Sequence, residues 1–155
     1  MPDMLVRLYD LPDSQALAAR LEAEGVHCRR AEPFERSATV RFVTDRWPAW
    51  EDEATAAFAR VPPTVIVAIE GERIVGFAAY NATRPDYFGP TGVDEGHRGR
   101  GIGTLLLLRA LEALAAEGYA YAIIGGVGPA AFYERAVGAI LIPGSEPGIY
   151  GGRAR

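Results

Sequence analysis

Glu95-Gly96-His97-Arg98-Gly99-Arg100-Gly101-Ile102-Gly103-Thr104 stands between a β-rich run and a strongly amphipathic one, and its reading decides the fold. Upstream, Tyr87 to Val93 has the character of an extended segment. Downstream, Leu107, Leu108, Leu111, Leu114 and Ala115 recur at helical spacing with Arg109 and Glu112 turned outward, which predicts a helix from about Ile102 to Glu117 that Gly118 ends. Glycines at a strand-to-helix turn admit positive φ and let a ligand approach the backbone closely, and the first N–H groups of a helix have no partner within it. With the positive end of the helix dipole behind them, such groups form an anion cradle. Arg98 and Arg100, with His97 beside them, gather positive charge there in a chain whose formal net charge is -4.

Spacing separates three anion-binding templates. A Walker loop requires lysine, and all 16 Lys+Arg positions are arginine, which also removes Schiff-base lysine chemistry. A dinucleotide fingerprint needs Gly-x-Gly-x-x-Gly, whereas Gly99, Gly101 and Gly103 alternate and the third required glycine falls at Thr104. Arg98-x-x-Gly101-x-Gly103, closing a strand and opening a helix, resembles the pyrophosphate-binding motif of the GNAT superfamily of acyl-CoA-dependent N-acetyltransferases. Taken by itself, the motif also reads as a glycine-rich turn with solvated arginines.

Outward from this turn, Thr64 to Ile69 and Ile74 to Tyr80 are β-rich runs joined by Glu70-Gly71-Glu72-Arg73, which predicts an antiparallel hairpin. Tyr119 to Ile124 reads as a buried strand, Pro129 to Ala136 as a short helix, and Ile140 to Ile142 with Ile149-Tyr150 as terminal strand material. Met4 to Tyr9 alternates as a short strand, Pro12-Asp13-Ser14 supplies a turn and cap, and a helix bearing Leu17 and Leu21 runs to Gly25. Ala38, Val40 and Phe42 alternate with Thr39 and Arg41, which suggests an extended edge strand. Pro48, Trp50, Ala54, Ala57 and Phe58 predict a further helix ending before Pro62-Pro63. With no internal repeat or low-complexity tract, residues 1–155 are expected to form one domain of mixed α and β character.

The resemblance covers about the C-terminal 90 residues and implies an α/β (mixed α+β) fold: a central, mostly antiparallel twisted sheet with splayed central strands, flanked by helices. It implies a single acetyltransferase domain that moves an acetyl group from acetyl-CoA to a primary amine of a small molecule or peptide by direct attack on the thioester. In that reading Thr91 to Val93 and Ile123 to Gly126 line the splay and offer backbone groups to the pantetheine arm. The N–H of Val93 faces the thioester carbonyl, and Arg98, Gly99, Arg100, Gly101, Ile102, Gly103 and Thr104 hold the pyrophosphate. Tyr133 aligns with the family's tyrosine that protonates the leaving sulfur; its other reading is a packing residue. Gly126 stands where the family often has asparagine, so contacts there are expected from the backbone, and the spacing from Tyr133 to Gly138 is one residue longer than the common form. Asp86, just before the strand, and Glu70, at the hairpin, read either as bases acting through water or as solvated surface charges, and no base is assigned. Tyr80, Tyr87, Phe88 and Tyr150 line either an acceptor pocket or the core. A non-catalytic acyl-CoA-binding module is the competing function, and the fold admits a homodimer by its terminal strands.

Composition sets the remaining bounds. Hydrophobic residues make up 49% of 155, enough for a core, and no run approaches the about 20 apolar residues of a membrane helix, so no membrane role is expected. The first residues lack the basic-then-apolar order of a secretory signal, which makes a cytoplasmic location the expectation. Cys28 is the one cysteine, and with only His27 and His97 as histidines a metal centre is not expected. Net acidity argues against nucleic-acid binding, and the arginine, alanine, glycine and proline richness suggests a GC-rich bacterial genome.

Overall fold

In the computed structural model, which describes residues 1–155, seven strands form one sheet. They are β1 (Met4–Arg7), β2 (Val26–Arg30), β3 (Val65–Glu70), β4 (Arg73–Tyr80), β5 (Tyr87–Val93), β6 (Tyr121–Ile124) and β7 (Ile140–Leu141). The helices are α1 (Gln15–Ala23), α2 (Arg36–Arg46), α3 (Glu51–Phe58), α4 (Ile102–Ala116) and α5 (Ala130–Val137). The order across the sheet is β2-β3-β4-β5-β6-β1-β7, and every neighbouring pair is antiparallel except β5 and β6. No helix is long and apolar enough to cross a membrane.

The two sheet faces carry separate cores. On one, α4 buries Ile102, Leu105, Leu106, Leu107, Leu108, Leu111 and Leu114 against Ala78, Tyr80, Phe88 and Ile124. That apolar surface is broader than the stripe read from the sequence, because α1 covers the helix from its other side. Arg109 and Glu112 do not simply face solvent: both reach Ser14 Oγ, at 3.2 Å and 2.5 Å, and brace the start of α1. On the other face α2 and α3 close over Val65, Val67, Phe77 and Ala79, with Trp47 and Trp50 packed at a tilt against Phe77.

The hairpin, the strand before the glycine turn and the helix after it fall as expected from the sequence. Residues 36–46 do not: they form α2, and the edge strand is Val26–Arg30 instead. The alternation of Ala38, Val40 and Phe42 misleads because α2 is only partly covered, burying Thr39, Phe42 and Val43 at the three- and four-residue spacing of a helix. Ile149-Tyr150 is not strand but part of a 3-10 turn, Gly148–Tyr150.

The first strand is placed between β6 and β7 and pairs with both. Met4 and Val6 are fully buried there beneath α4 and α5. If β1 is an integral part of the core, Met4→Ala lowers unfolding stability by about 2–5 kcal/mol in urea titration; a loss below about 0.5 kcal/mol would mean that the strand is merely draped on the sheet.

Candidate active site

Strands β5 and β6 pair at Tyr87–Ile123 and Phe88–Ile124 and then separate. Continuing the parallel ladder would have the Gly125 N–H donate to the Phe88 carbonyl, and that bond is not made. Both strands are held from their outer sides. Asp94 N–H donates to the Val75 carbonyl, so Gly92 is the next hydrogen-bonded partner of β4, and the backbone groups of Thr91 and Val93 turn toward the gap. Leu8 N–H donates to the Ala120 carbonyl, which by the same alternation turns the Ile123 and Gly125 amides toward β5. The amide of Gly126, expected from the sequence to be free for a ligand, donates to Asp3 Oδ1 at 2.9 Å. Asp3 is itself buried at the start of β1.

The glycine-rich turn lies at the open end of this gap. Gly101 has φ of 91° and opens α4 with no side-chain cap. The first intrahelical bond of α4 runs from Leu105 N–H to the Gly101 carbonyl. No N–H from Gly99 through Thr104 donates to a protein acceptor, which leaves six consecutive amides at the positive end of a 15-residue helix. Arg98 donates from Nε to the Val93 carbonyl at 3.3 Å and is otherwise exposed. Arg100, expected as a second anion-binding side chain, is turned aside: Glu70 at 3.3 Å and Glu24 at 3.5 Å take its guanidinium, while Arg20 donates to its carbonyl at 2.7 Å. His97 also faces carboxylates, Glu70 at 3.0 Å and Asp94 at 2.9 Å.

Tyr133 stands on α5 with its ring centroid 6.3 Å from Phe88, the last β5 residue paired to β6, so it packs beside the closed end of the gap. It is 7% exposed, and burial pushes its phenol up to about 12. The two acids weighed as bases both lie elsewhere. Glu70 is held below the usual carboxylate range by His97 and then Arg100, beside the glycine turn. Asp86 sits at the start of β5 at φ 68°, its buried Oδ1 without a partner. Burial, with Glu117 adding repulsion, raises its carboxyl to about 6.

Of the four aromatics considered for an acceptor pocket, Tyr80 and Phe88 are core residues, 1% and 3% exposed. Tyr87 and Tyr150 instead meet at Gly125, where an added Cβ would lie 3.1 Å from the Tyr87 ring and 3.4 Å from the Tyr150 hydroxyl. Sequence reasoning missed Trp47, whose indole covers Gly92 so closely that a Cβ there would sit 2.4 Å from Cη2. It also missed Asp3, since nothing local signals that β1 crosses to β6. The Asp94-x-x-His97 spacing was the available sign of the His97 pairing.

Residues 24–139 match the family model described as the Acetyltransferase (GNAT) family. No curated protein sequence matches the chain. Among solved structures, 91% of the chain superposes on a GCN5-related glucosamine N-acetyltransferase region of a fungal multi-domain GH3 β-N-acetylglucosaminidase, with TM-score 0.76 and 19% identity. A similar superposition, again over 91% of the chain, is found with a GCN5-related N-acetyltransferase from Sphaerobacter thermophilus, with TM-score 0.64 and 22% identity. The chain spans 19% and 48% of the length of these two proteins, and at such identities the likeness is one of fold.

The close contact at Gly92 has a direct consequence. Gly92→Ala forces the Trp47 indole off the strand, lowering stability by about 1–3 kcal/mol and altering tryptophan fluorescence; an unchanged urea midpoint and spectrum would show that the ring is free to swing aside.

Proposed function

Given that the chain belongs to the GNAT acetyltransferase family, we propose that it transfers the acetyl group of acetyl-CoA to a primary amine of a small molecule or peptide. The observation that carries this reading is the run of six unpartnered amides from Gly99 to Thr104 at the mouth of a gap lined by further free backbone donors. A diphosphate fits such a run because several N–H groups converge on it and the helix dipole favours its charge. Arg98 is the cation free to assist; the Arg100 guanidinium supports the turn through Glu70 and Glu24.

From the turn, an extended arm entering the gap passes Val93 first and Thr91 second, with Tyr133 beyond them near Phe88. Thr91 and Val93 are separated by about 7 Å along the strand. A thioester within reach of Tyr133 therefore lies nearer the Thr91 amide, which polarises its carbonyl, while Val93 N–H holds the arm. This moves the carbonyl-facing role from Val93, where the family resemblance set it, to Thr91. Main-chain donors already fixed in place stabilise the developing oxyanion without reorganising. Tyr133, with its proton retained up to about 12, stays a donor throughout the working pH range and supplies the proton to the departing thiolate. The amine approaches from the opposite side, where Trp47, Tyr87, Tyr150 and the Glu53 carboxylate, which accepts from the Thr83 hydroxyl, surround the gap.

Acetyl-CoA consumption against an amine panel, followed by thiol release, tests the reading. Turnover with at least one amine supports transfer; tight coenzyme A binding without turnover on any amine would favour a non-catalytic acyl-CoA-binding module. Tyr133→Phe lowers kcat about 100-fold with little change in KM for acetyl-CoA, and an unaltered rate across pH would remove its role as acid. Gly101→Val places a β-branched residue at φ 91°, a strain of about 1–3 kcal/mol. It is expected to weaken coenzyme A binding at least about tenfold, as the loss of one charge-assisted hydrogen bond would, in a protein that still melts cooperatively; unchanged affinity in calorimetry contradicts the assignment of the turn.

A further inference from the structure

We infer that His97 is a positioning residue that holds the anion turn in its binding geometry only while it is doubly protonated, so that one proton on this chain controls its affinity for coenzyme A. This rests on the reading of residues 99–104 as the diphosphate site.

His97 Nδ1 lies 2.9 Å from Asp94 Oδ2, and Nε2 lies 3.0 Å from Glu70 Oε1. An ionised carboxylate only accepts, so both ring nitrogens must donate, and only the imidazolium can do that. A neutral ring would aim a lone pair at one carboxylate. The side chain is 18% exposed, so water can only partly replace a lost bond. The hydrogen bonds that His97 donates to Glu70 and then to Asp94 hold its pKa above the ordinary value, and His97 in turn depresses both acids.

The bridge also has a mechanical role. Glu70 ends β3, Asp94 follows β5, and His97 closes the 3-10 turn Glu95–His97 that delivers the chain to Gly99. His97 therefore ties the entrance of the anion turn to the β3–β4 hairpin. Every charged group around it is already paired: Arg100 on Glu70, Arg46 of α2 on Asp94 at 2.8 Å, Glu24 at the end of α1 on Arg100, and Arg20 on Glu24. With the proton, four cations face three carboxylates across this network; without it, three face three. The lost charge is the one between Glu70 and Asp94, which would then repel each other and the incoming diphosphate.

The sign follows from the raised pKa. Affinity is full where His97 is charged, near pH 6.5 and below, and falls as pH rises through its elevated pKa. Coenzyme A binding by the wild-type chain, titrated by calorimetry between pH 6 and 9, is expected to weaken about 5- to 50-fold toward high pH, within the range typical of a coupled equilibrium. His97→Gln should bind weakly throughout and retain only the ligand's own ionisation. His97→Arg, permanently charged and able to reach both acids, should restore tight binding and remove the fall at high pH. Histidine NMR, assigned by the Gln variant, reads the His97 midpoint directly and should give a value above 6.5. Tight binding by the wild type with the same affinity and pH profile as His97→Gln overturns the inference alone. Absence of coenzyme A binding by the wild type at pH 6.5 overturns the reading of the turn and this inference with it.

Discussion

Two parallel strands that pair over only two positions govern this molecule. Beyond Phe88 and Ile124 the ladder stops: β5 runs on to Val93, β6 ends, and the Thr91, Val93 and Gly125 amides are left turned toward the gap between them. Unpaired amides within a protein are costly unless water or a ligand satisfies them. The fold sustains the opening by securing each strand from behind, β5 through β4 and β6 through β1. The open end of β5 leads through residues 94–101 directly into α4, so the free donors of the strand and those of the helix terminus follow one another along the chain. On the proposed reading, the main chain and Arg98 serve the anion and main-chain donors polarise the thioester, which suits a chain without lysine.

The part of the fold that surrounds the gap was legible because its signals are local. The Glu70-to-Arg73 connection, the alternate glycines and the leucine periodicity of α4 each specify geometry within a few residues. What escaped depends on distant partners. The helix at residues 36–46 has an almost even distribution of polar residues, so its period is set by the Phe77 face it covers and not by its own pattern. The position of β1 between β6 and β7 is a matter of sheet topology, and no stretch of sequence encodes which edge a strand will join. The site followed the same division. The free amides followed from turn chemistry, whereas the diversion of Arg100 to Glu24 and Glu70, and the capture of the Gly126 amide by Asp3, come from residues 76, 30 and 123 positions away.

Those long-range contacts change how charge is used around the turn. The sequence shows three basic side chains within four residues, His97, Arg98 and Arg100, and a simple count would give all three to the ligand. In the structure two of them are consumed by acids, which on the proposed reading makes the main chain the principal anion receptor. Such an arrangement trades raw electrostatic attraction for a fixed backbone shape, and it keeps the neighbouring carboxylates Glu70 and Asp94 from facing the ligand uncompensated. Trp47 over Gly92, and Tyr87 with Tyr150 at Gly125, form the aromatic surroundings proposed for the acceptor.

The most direct test of the account is a coenzyme A titration followed in ¹H–¹⁵N correlation spectra of the full chain. The account predicts saturable shifts that are largest at the amides of Gly99, Arg100, Gly101, Ile102, Gly103 and Thr104, accompanied by Thr91 and Val93, with Gly126 little affected. Saturable shifts confined to other surfaces, or spectra unchanged at millimolar coenzyme A, would contradict it.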